Sequence, residues 1–414
     1  MYLRYPRTDA APSYTEFLNE YLLANKPVII GPSLISSWAA LSRWVNEDLS
    51  IDWEYLKTAY GSCEVTVADC STRDFSDQKR EKMLFRDVVS LWQSGNGQSS
   101  YVKDWHLART LATTSSSPPG EDALNPDPFY TTPDIFRDDW MNAYYSAYTE
   151  DDFRFVYVGA AGTFTPLHRD VYTSYSWSTN VCGHKRWWLF PPDQTHLLFR
   201  KGGEEHLETA YDVRNVDSNQ YPLFNLAKPT VVEQGPGETI FVPSGWYHQV
   251  ENLTACISIN HNWCNSVNLP SLYDSMCAKV TEVEHALEDV KQLLSQSASP
   301  AATDATSSEP HKGWEDEWIA IVQDVVEKDA GWNWLTFWCM VRHALALAMD
   351  RFDLASETLW PHTPRELMPS LHFITERIRA CCDDFVKRPQ HEIALVPTLN
   401  TVLADIHQLI DTAE

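Results

Sequence analysis

Between residues 150 and 265 the chain reads as a succession of short strands separated by turn signals. Strands this short and this numerous satisfy their edges only by pairing with one another, which predicts an all-β sandwich or barrel. Two segments of this stretch carry side chains suited to chemistry. The first is Thr163-Phe164-Thr165-Pro166-Leu167-His168-Arg169-Asp170. A strand places residues i and i+2 on one face, so His168 and Asp170 can point at one ion. The second runs from Pro236 to Val250 and reads as strand, tight turn, strand, with the turn at Pro243-Ser244-Gly245. Glycine tolerates the backbone angles of such a turn. Trp246, His248 and Val250 then share a face. Two histidines and one carboxylate make the facial triad that leaves coordination positions open at Fe(II).

Neither piece is informative alone. With 14 His and 57 acidic residues, about two His-x-Asp/Glu triplets are expected by chance. Two occur, the other being His206-Leu207-Glu208 in a polar stretch. By itself, His248 reads as a hydrogen-bonded core histidine. Together, in one strand-rich region, the two segments favour a metal site of His168, Asp170 and His248.

A co-substrate with a carboxylate tail needs a buried cation. Lys185 opens an apolar strand, Lys185-Arg186-Trp187-Trp188-Leu189-Phe190, and an inward lysine there would need an anionic partner. The local pattern alone fits a surface lysine equally well. His184 and His261 alternate out of phase with Lys185 and with Asn260 and Asn262, and are read as outward-facing or as lying behind the site. Tyr172, Tyr175, Trp177 and Trp246 are candidates for pocket walls, but read better as core.

The flanks are less regular. Residues 13–25 have helical spacing, residues 26–32 read as a short buried strand, and Trp38 to Leu56 as a helix. Residues 63–69 alternate as a strand, 79–94 read as a helix, and 101–105 as a strand. Residues 112–128 are a polar, proline-rich loop, and 271–295 return to helical spacing. Residues 294–312 are low-complexity and are expected to be disordered, and helices are expected from Trp314 onward. The expected segments are 1–127, an α/β region packing on the barrel; 128–275, the barrel; and 276–414, a helical region.

The net charge of −25 opposes general nucleic-acid binding and suits a basic protein partner, or simply solubility. Nine cysteines without a Cys-x-x-Cys pair fit reduced thiols in a cytoplasmic or nuclear setting. The N-terminus lacks an apolar signal-peptide core, and no apolar run reaches membrane-spanning length. Oligomeric state is left open.

The segments around His168-x-Asp170, Gly183-His184-Lys185-Arg186-Trp187 and Pro243-Ser244-Gly245-Trp246-Tyr247-His248 resemble the JmjC (cupin-like) Fe(II)/2-oxoglutarate oxygenases. So do Ser176-Trp177-Ser178-Thr179-Asn180-Val181-Cys182-Gly183 and Ile257-Ser258-Ile259-Asn260-His261-Asn262-Trp263-Cys264-Asn265. The resemblance spans roughly residues 14–275. It implies a mainly β fold with α, a double-stranded β-helix (jelly-roll) core flanked by N- and C-terminal helices. It implies His168, Asp170 and His248 as iron ligands, Lys185 on the far carboxylate of 2-oxoglutarate, and O2 as oxidant. Thr165 and Tyr101 match positions that contact the co-substrate. Asn260 stands where relatives carry Thr, and Ser178 where some carry Asn. A subgroup of the family hydroxylates carbon 4 of a lysine in translation release factor, which makes that factor the expected protein substrate. The rival readings are an N-methyl-lysine demethylase, a non-catalytic binding module, and a metal-storing or sugar-binding cupin.

Overall fold

A computed structural model describes residues 5–75, 77–115, 128–202, 208–297, 313–351, 360–388 and 394–413. The chain divides into two compact units, Met1–Tyr145 with Thr149–Trp263, and Ser146–Tyr148 with Cys264–Glu414. The division at 263/264 differs from the expected boundary after residue 275. The helix Leu269–Ala286 runs through that position, so a break there would cut a hydrogen-bonded element.

The first unit holds the strands β1 (Arg7–Thr8), β2 (Val28–Ile30), β3 (Glu64–Asp74), β4 (Asp77–Leu84), β5 (Ser100–Trp105), β6 (Arg154–Gly159) and β7 (Phe164–His168). They are followed by β8 (Tyr175–Cys182), β9 (Lys185–Phe190), β10 (Thr230–Gln234), β11 (Thr239–Val242), β12 (Tyr247–Asn252) and β13 (Cys256–Trp263). From β6 onward the chain passes between two sheets: β11-β8-β13-β6 lie together in one, and β10-β9-β12-β7 form the other. This is the expected double-stranded β-helix. The larger sheet is extended at one edge by β2 and β1 and at the other by β5, β3 and β4.

The two faces of the larger sheet differ sharply. On β8, Tyr175, Trp177 and Thr179 alternate with Ser176, Ser178 and Asn180; on β13, Ile257, Ile259, His261 and Trp263 alternate with Ser258, Asn260 and Asn262. Trp177 is fully buried between Phe136, stacked at 5.3 Å, and His261, stacked at 4.1 Å. Tyr175 packs on Phe241 and Trp263, and Trp246 packs against the Ile29–Trp187–Val250 cluster. Tyr175 and Trp177 are core, and Trp246 is half-buried at the edge of its cluster.

Three local expectations change. Trp38 to Leu56 is not one helix: a turn of helix, Ala40–Arg43, gives way to a bridge between Val45 and Ile51, and a second helix runs Trp53–Tyr60. Asp48 causes the break by accepting bonds from the Ser50 amide (3.0 Å) and hydroxyl (2.5 Å), a local turn that competes with helix. Asp52 then caps the second helix by accepting from the Tyr55 amide. Residues 79–94 split into β4 and a helix, Phe85–Gln93. β4 is the sheet's outer strand, where exposed charges such as Lys79, Arg80 and Lys82 are compatible with pairing. Residues 294–297 complete the helix Glu288–Ser297, while 298–312, like 116–127 of the proline-rich loop, lie outside the described residues.

The second unit is helical, with Leu269–Ala286, Trp314–Ala330, Trp334–Ala348, Leu371–Phe385 and Leu399–Ala413 as its main elements. Gly331, at φ 83°, ends one helix, and the Asn333 side chain starts the next by accepting from the Thr336 amide. Trp334, Trp338 and Phe385 meet at its core. No helix among the described residues is long and apolar enough to cross a membrane.

Candidate metal centre

His168 ends β7 and pairs directly with His248 of β12 across the smaller sheet. Their ring centroids are 4.2 Å apart. Each ring spends Nδ1–H on the carbonyl two residues earlier, His168 on Pro166 at 2.8 Å and His248 on Trp246 at 3.2 Å. Those bonds fix the tautomer and leave both Nε2 lone pairs free for a metal. Burial, reinforced by the neighbouring His248, pushes the His168 pKa down, so this ring stays neutral, the form that ligates. Trp187 stacks on His248 at 5.7 Å and holds its plane.

Asp170 joins them from outside the strand. β7 stops at His168, and the chain turns through Tyr172 and Thr173, both in the left-handed region at φ 50° and 57°. The expected strand geometry for His168-x-Asp170 is therefore replaced by a strand end and a strained turn. Asp170 Oδ2 accepts from Ser176 Oγ at 2.7 Å, which leaves Oδ1 for an ion. The ligand atoms of His168, Asp170 and His248 all lie within 4.8 Å of one another. Of the second triplet, His206 and Leu207 lie outside the described residues, and Glu208 pairs with Arg73 and Arg200.

Lys185 is buried at the start of β9, and its Nζ donates to Ser258 Oγ at 2.6 Å. No described carboxylate pairs with it, and burial pushes its pKa down to about 8. A buried ammonium without a counter-charge is costly unless an anionic ligand supplies one. Tyr101 pairs across to Gly159 and lies against Asn252 and Thr165. Ser178 and Asn260 are register partners on β8 and β13. Ser178 Oγ, Asn260 Oδ1, Asn180 Oδ1 and Asn252 Oδ1 are buried and have no hydrogen-bond partner among the described residues. Buried polar atoms left open in this way are available to a ligand or to water. The residues present thus fit both groups: three ligands for a divalent iron, and a buried lysine together with the Ser258 and Ser178 hydroxyls as donors for a dicarboxylate.

The cupin-like domain family matches residues 14–268. The 2-oxoglutarate and iron-dependent oxygenase JMJD4 of Mus musculus is 38% identical over 70% of this chain and 67% of its own length. The arginine-specific demethylase JMJ20 of Arabidopsis thaliana is 39% identical over 68% of this chain and 61% of its own length. The JmjC domain-containing protein 1 of Schizosaccharomyces pombe is 31% identical over 87% of each chain. The chain belongs to the cupin-like JmjC family.

Among the JmjC positions read from sequence, the structure gathers His168, Asp170 and His248 at one point. It puts Lys185, Thr165, Tyr101, Asn260 and Ser178 on the elements around it. His184 is exposed, as its phase implied. His261 takes the second of its two readings: it lies on the outer face of β13, behind the site, where it is fully buried against Trp177 and bonded to Tyr130 Oη at 2.8 Å. Ser176, Asn252 and Ser258 escaped the sequence reading. Ser176 and Ser258 sit two residues before Ser178 and Asn260, and extending the same alternation would have found them.

Proposed function

We propose that this chain is an Fe(II)- and 2-oxoglutarate-dependent oxygenase of protein side chains, and more specifically a lysyl hydroxylase acting at carbon 4 of a lysine in translation release factor. The observation that carries the reading is Lys185, a buried cation with no carboxylate partner among the described residues, in the β-helix that also brings His168, Asp170 and His248 together. In this reading His168, Asp170 and His248 hold the iron, and Lys185 with Ser258 holds the far carboxylate of 2-oxoglutarate by charge-assisted bonds. Bound iron, 2-oxoglutarate and O2 supply the oxygenation: one oxygen atom enters a substrate C–H bond as hydroxyl, and the other enters succinate as CO2 leaves. The protein's own part is to fix geometry and keep water out, through Trp187 against His248 and the hydrogen bonds that aim each ligand. The acidic surface suits a polypeptide that brings a lysine, and a release-factor substrate goes with a cytoplasmic or nuclear setting.

A second reading, demethylation, is favoured by the demethylases among the relatives, which include the lysine-specific demethylase JMJ21 of Arabidopsis thaliana, 28% identical over 62% of this chain. There the hydroxylated N-methyl group leaves as formaldehyde. The deciding experiment incubates the purified protein with Fe(II), 2-oxoglutarate and release factor, and maps the products by mass spectrometry. A gain of one oxygen on a lysine with no formaldehyde is expected. Formaldehyde with loss of methyl groups would establish the demethylase instead. Absence of any 2-oxoglutarate turnover would leave a binding module, and turnover indifferent to Lys185→Ala would favour another cupin activity.

A further inference from the structure

Asp170 lies in the crossing between the two sheets. β7, in the smaller sheet, ends at His168, and β8, in the larger, begins at Tyr175. Within the crossing, Tyr172 and Thr173 both occupy the left-handed region, at φ 50° and 57°. Every other non-glycine residue with positive φ among the described residues stands singly. The region is strained for bulky and β-branched residues, because Cβ crowds the following carbonyl oxygen. Glycine reaches the same angles without that crowding. The turn is nevertheless tied down along its length. The Thr173 amide donates to Asp170 O at 3.1 Å, and the Ser174 amide to Val171 O at 2.9 Å. Thr173 Oγ1 donates to Tyr172 O at 2.5 Å, and both residues are buried. Beyond them, Asn262 Nδ2 of β13 donates to Ser174 Oγ at 3.3 Å, and Ser176 Oγ of β8 donates to Asp170 Oδ2 at 2.7 Å. A strained backbone persists where its surroundings over-determine it in this way.

We propose that Tyr172 and Thr173 are positioning residues for the metal centre: their left-handed backbone, held at a cost to the stability of the fold, keeps the Asp170 carboxylate aimed at the ion before the ion arrives. This rests on the metal-site reading above and adds the element that preorganises it. The left-handed well is narrow for any residue with a Cβ, so the dihedrals that aim Asp170 have little play. Relaxed to ordinary angles, the pair would redirect the chain and carry Asp170 away from His168 and His248, whose ligand atoms now lie within 4.8 Å of its own. Glycine at either position would relieve the crowding and widen the range of angles at once. A turn that served only to connect the two sheets would gain from that change and bind metal as before.

The test uses the full chain and substitutes Thr173, which leaves the buried Tyr172 ring in place. Thr173→Ala removes the side-chain contacts and keeps Cβ; Thr173→Gly removes the same contacts and Cβ as well. Comparing the two variants therefore isolates the backbone effect. Two quantities are read: the melting temperature of the metal-free protein, and the Fe(II) dissociation constant by anaerobic titration. Relative to Thr173→Ala, Thr173→Gly is expected to melt about 2 °C or more higher, since the relieved crowding outweighs glycine's greater unfolded-state entropy. It is expected to bind Fe(II) about tenfold more weakly, the lower end for groups that orient a metal ligand. A gain in stability together with a loss of affinity is the signature of a positioning role. If Thr173→Ala does not fold, Thr173→Ser, which keeps Cβ and the hydroxyl, replaces it as the strained reference. Equal Fe(II) affinity in the two variants, or a Thr173→Gly protein that melts no higher than its reference, overturns the inference and leaves the metal site standing. A wild type that binds no Fe(II) removes the metal site and this inference with it.

Discussion

His168 and His248 are direct partners across the β7–β12 ladder, their ring centroids 4.2 Å apart and both Nδ1 atoms committed to backbone carbonyls. The sheet itself therefore sets the spacing of the two imidazole ligands. Asp170, by contrast, arrives from a turn and depends on Ser176 for its orientation. Replacing His168, Asp170 or His248 by Ala leaves two ligands, and each variant is expected to lose Fe(II) binding and 2-oxoglutarate turnover. Wild-type-like turnover in any of them would remove that residue from the site. Ser176→Ala should be graded, with metal affinity down roughly 10- to 100-fold, as for other residues that orient a ligand. Anaerobic Fe(II) titration reads both effects.

Lys185 predicts a pH dependence. Burial pushes its pKa down to about 8, against an ordinary 10.5. Between those values the folded protein has released a proton that the unfolded chain still holds. Through this group, the stability of the ligand-free protein rises as pH climbs from about 8 to 10.5. Affinity for 2-oxoglutarate moves the other way, because the far carboxylate needs the ammonium. It should be flat below pH 8 and fall by about tenfold per unit above it. Calorimetric titration of 2-oxoglutarate at several pH values, with Lys185→Met as the comparison, checks this. An affinity that ignores pH, or the same slope in Lys185→Met, would take the lysine out of the binding site.

Much of this centre was legible because strand alternation is a short-range rule. The turn before Trp246 and the phase of His248 follow from residues within one strand and its turn, whereas the local pattern left Lys185 equally suited to the surface, and its burial is decided by the sheet around it. Asp170 was found for the wrong local reason: the motif named it, but β7 ends before it, and the left-handed Tyr172 and Thr173 that redirect the chain leave no pattern in the sequence. Long-range packing was equally invisible. The phase of His261 left it either outward-facing or behind the site, and Tyr130 and Trp177, distant in sequence, decide that it is buried. β4 was missed because charged residues on an outer strand resemble a polar helix face until their partner strand is known.

Trp177 tests whether the covered outer face supports the fold without taking part in chemistry. It is fully buried, stacked on Phe136 at 5.3 Å and on His261 at 4.1 Å, while its neighbours Ser176 and Ser178 point to the other side of β8. Trp177→Ala removes a large buried ring and should cost about 3–5 kcal/mol. Denaturant unfolding measures the loss. A cost under about 1 kcal/mol would mean that the outer layer is not packed as described.

Gly159 offers a way to disturb the co-substrate side of the centre while sparing the iron ligands. A Cβ at this position would lie 2.6 Å from Tyr101 Cδ2, 2.5 Å from Thr163 Oγ1 and 2.8 Å from Asn252 Nδ2. These separations are below van der Waals contact, so Gly159→Ala must displace the Tyr101 ring or open the β5–β6 pairing at Tyr101 and Gly159. Tyr101 lies against Thr165 and Asn252, the latter opposite Lys185 in the β9–β12 ladder. Moving that ring changes the wall proposed to face the dicarboxylate, while His168, Asp170 and His248 keep their own partners. The expected result is a KM for 2-oxoglutarate raised about tenfold or more, the cost of one misplaced polar contact, with Fe(II) affinity within about threefold of wild type. Tyr101→Phe in the wild-type background separates the hydroxyl's share from the ring's. If Gly159→Ala leaves the KM unchanged in a folded protein, Tyr101 does not contact the co-substrate.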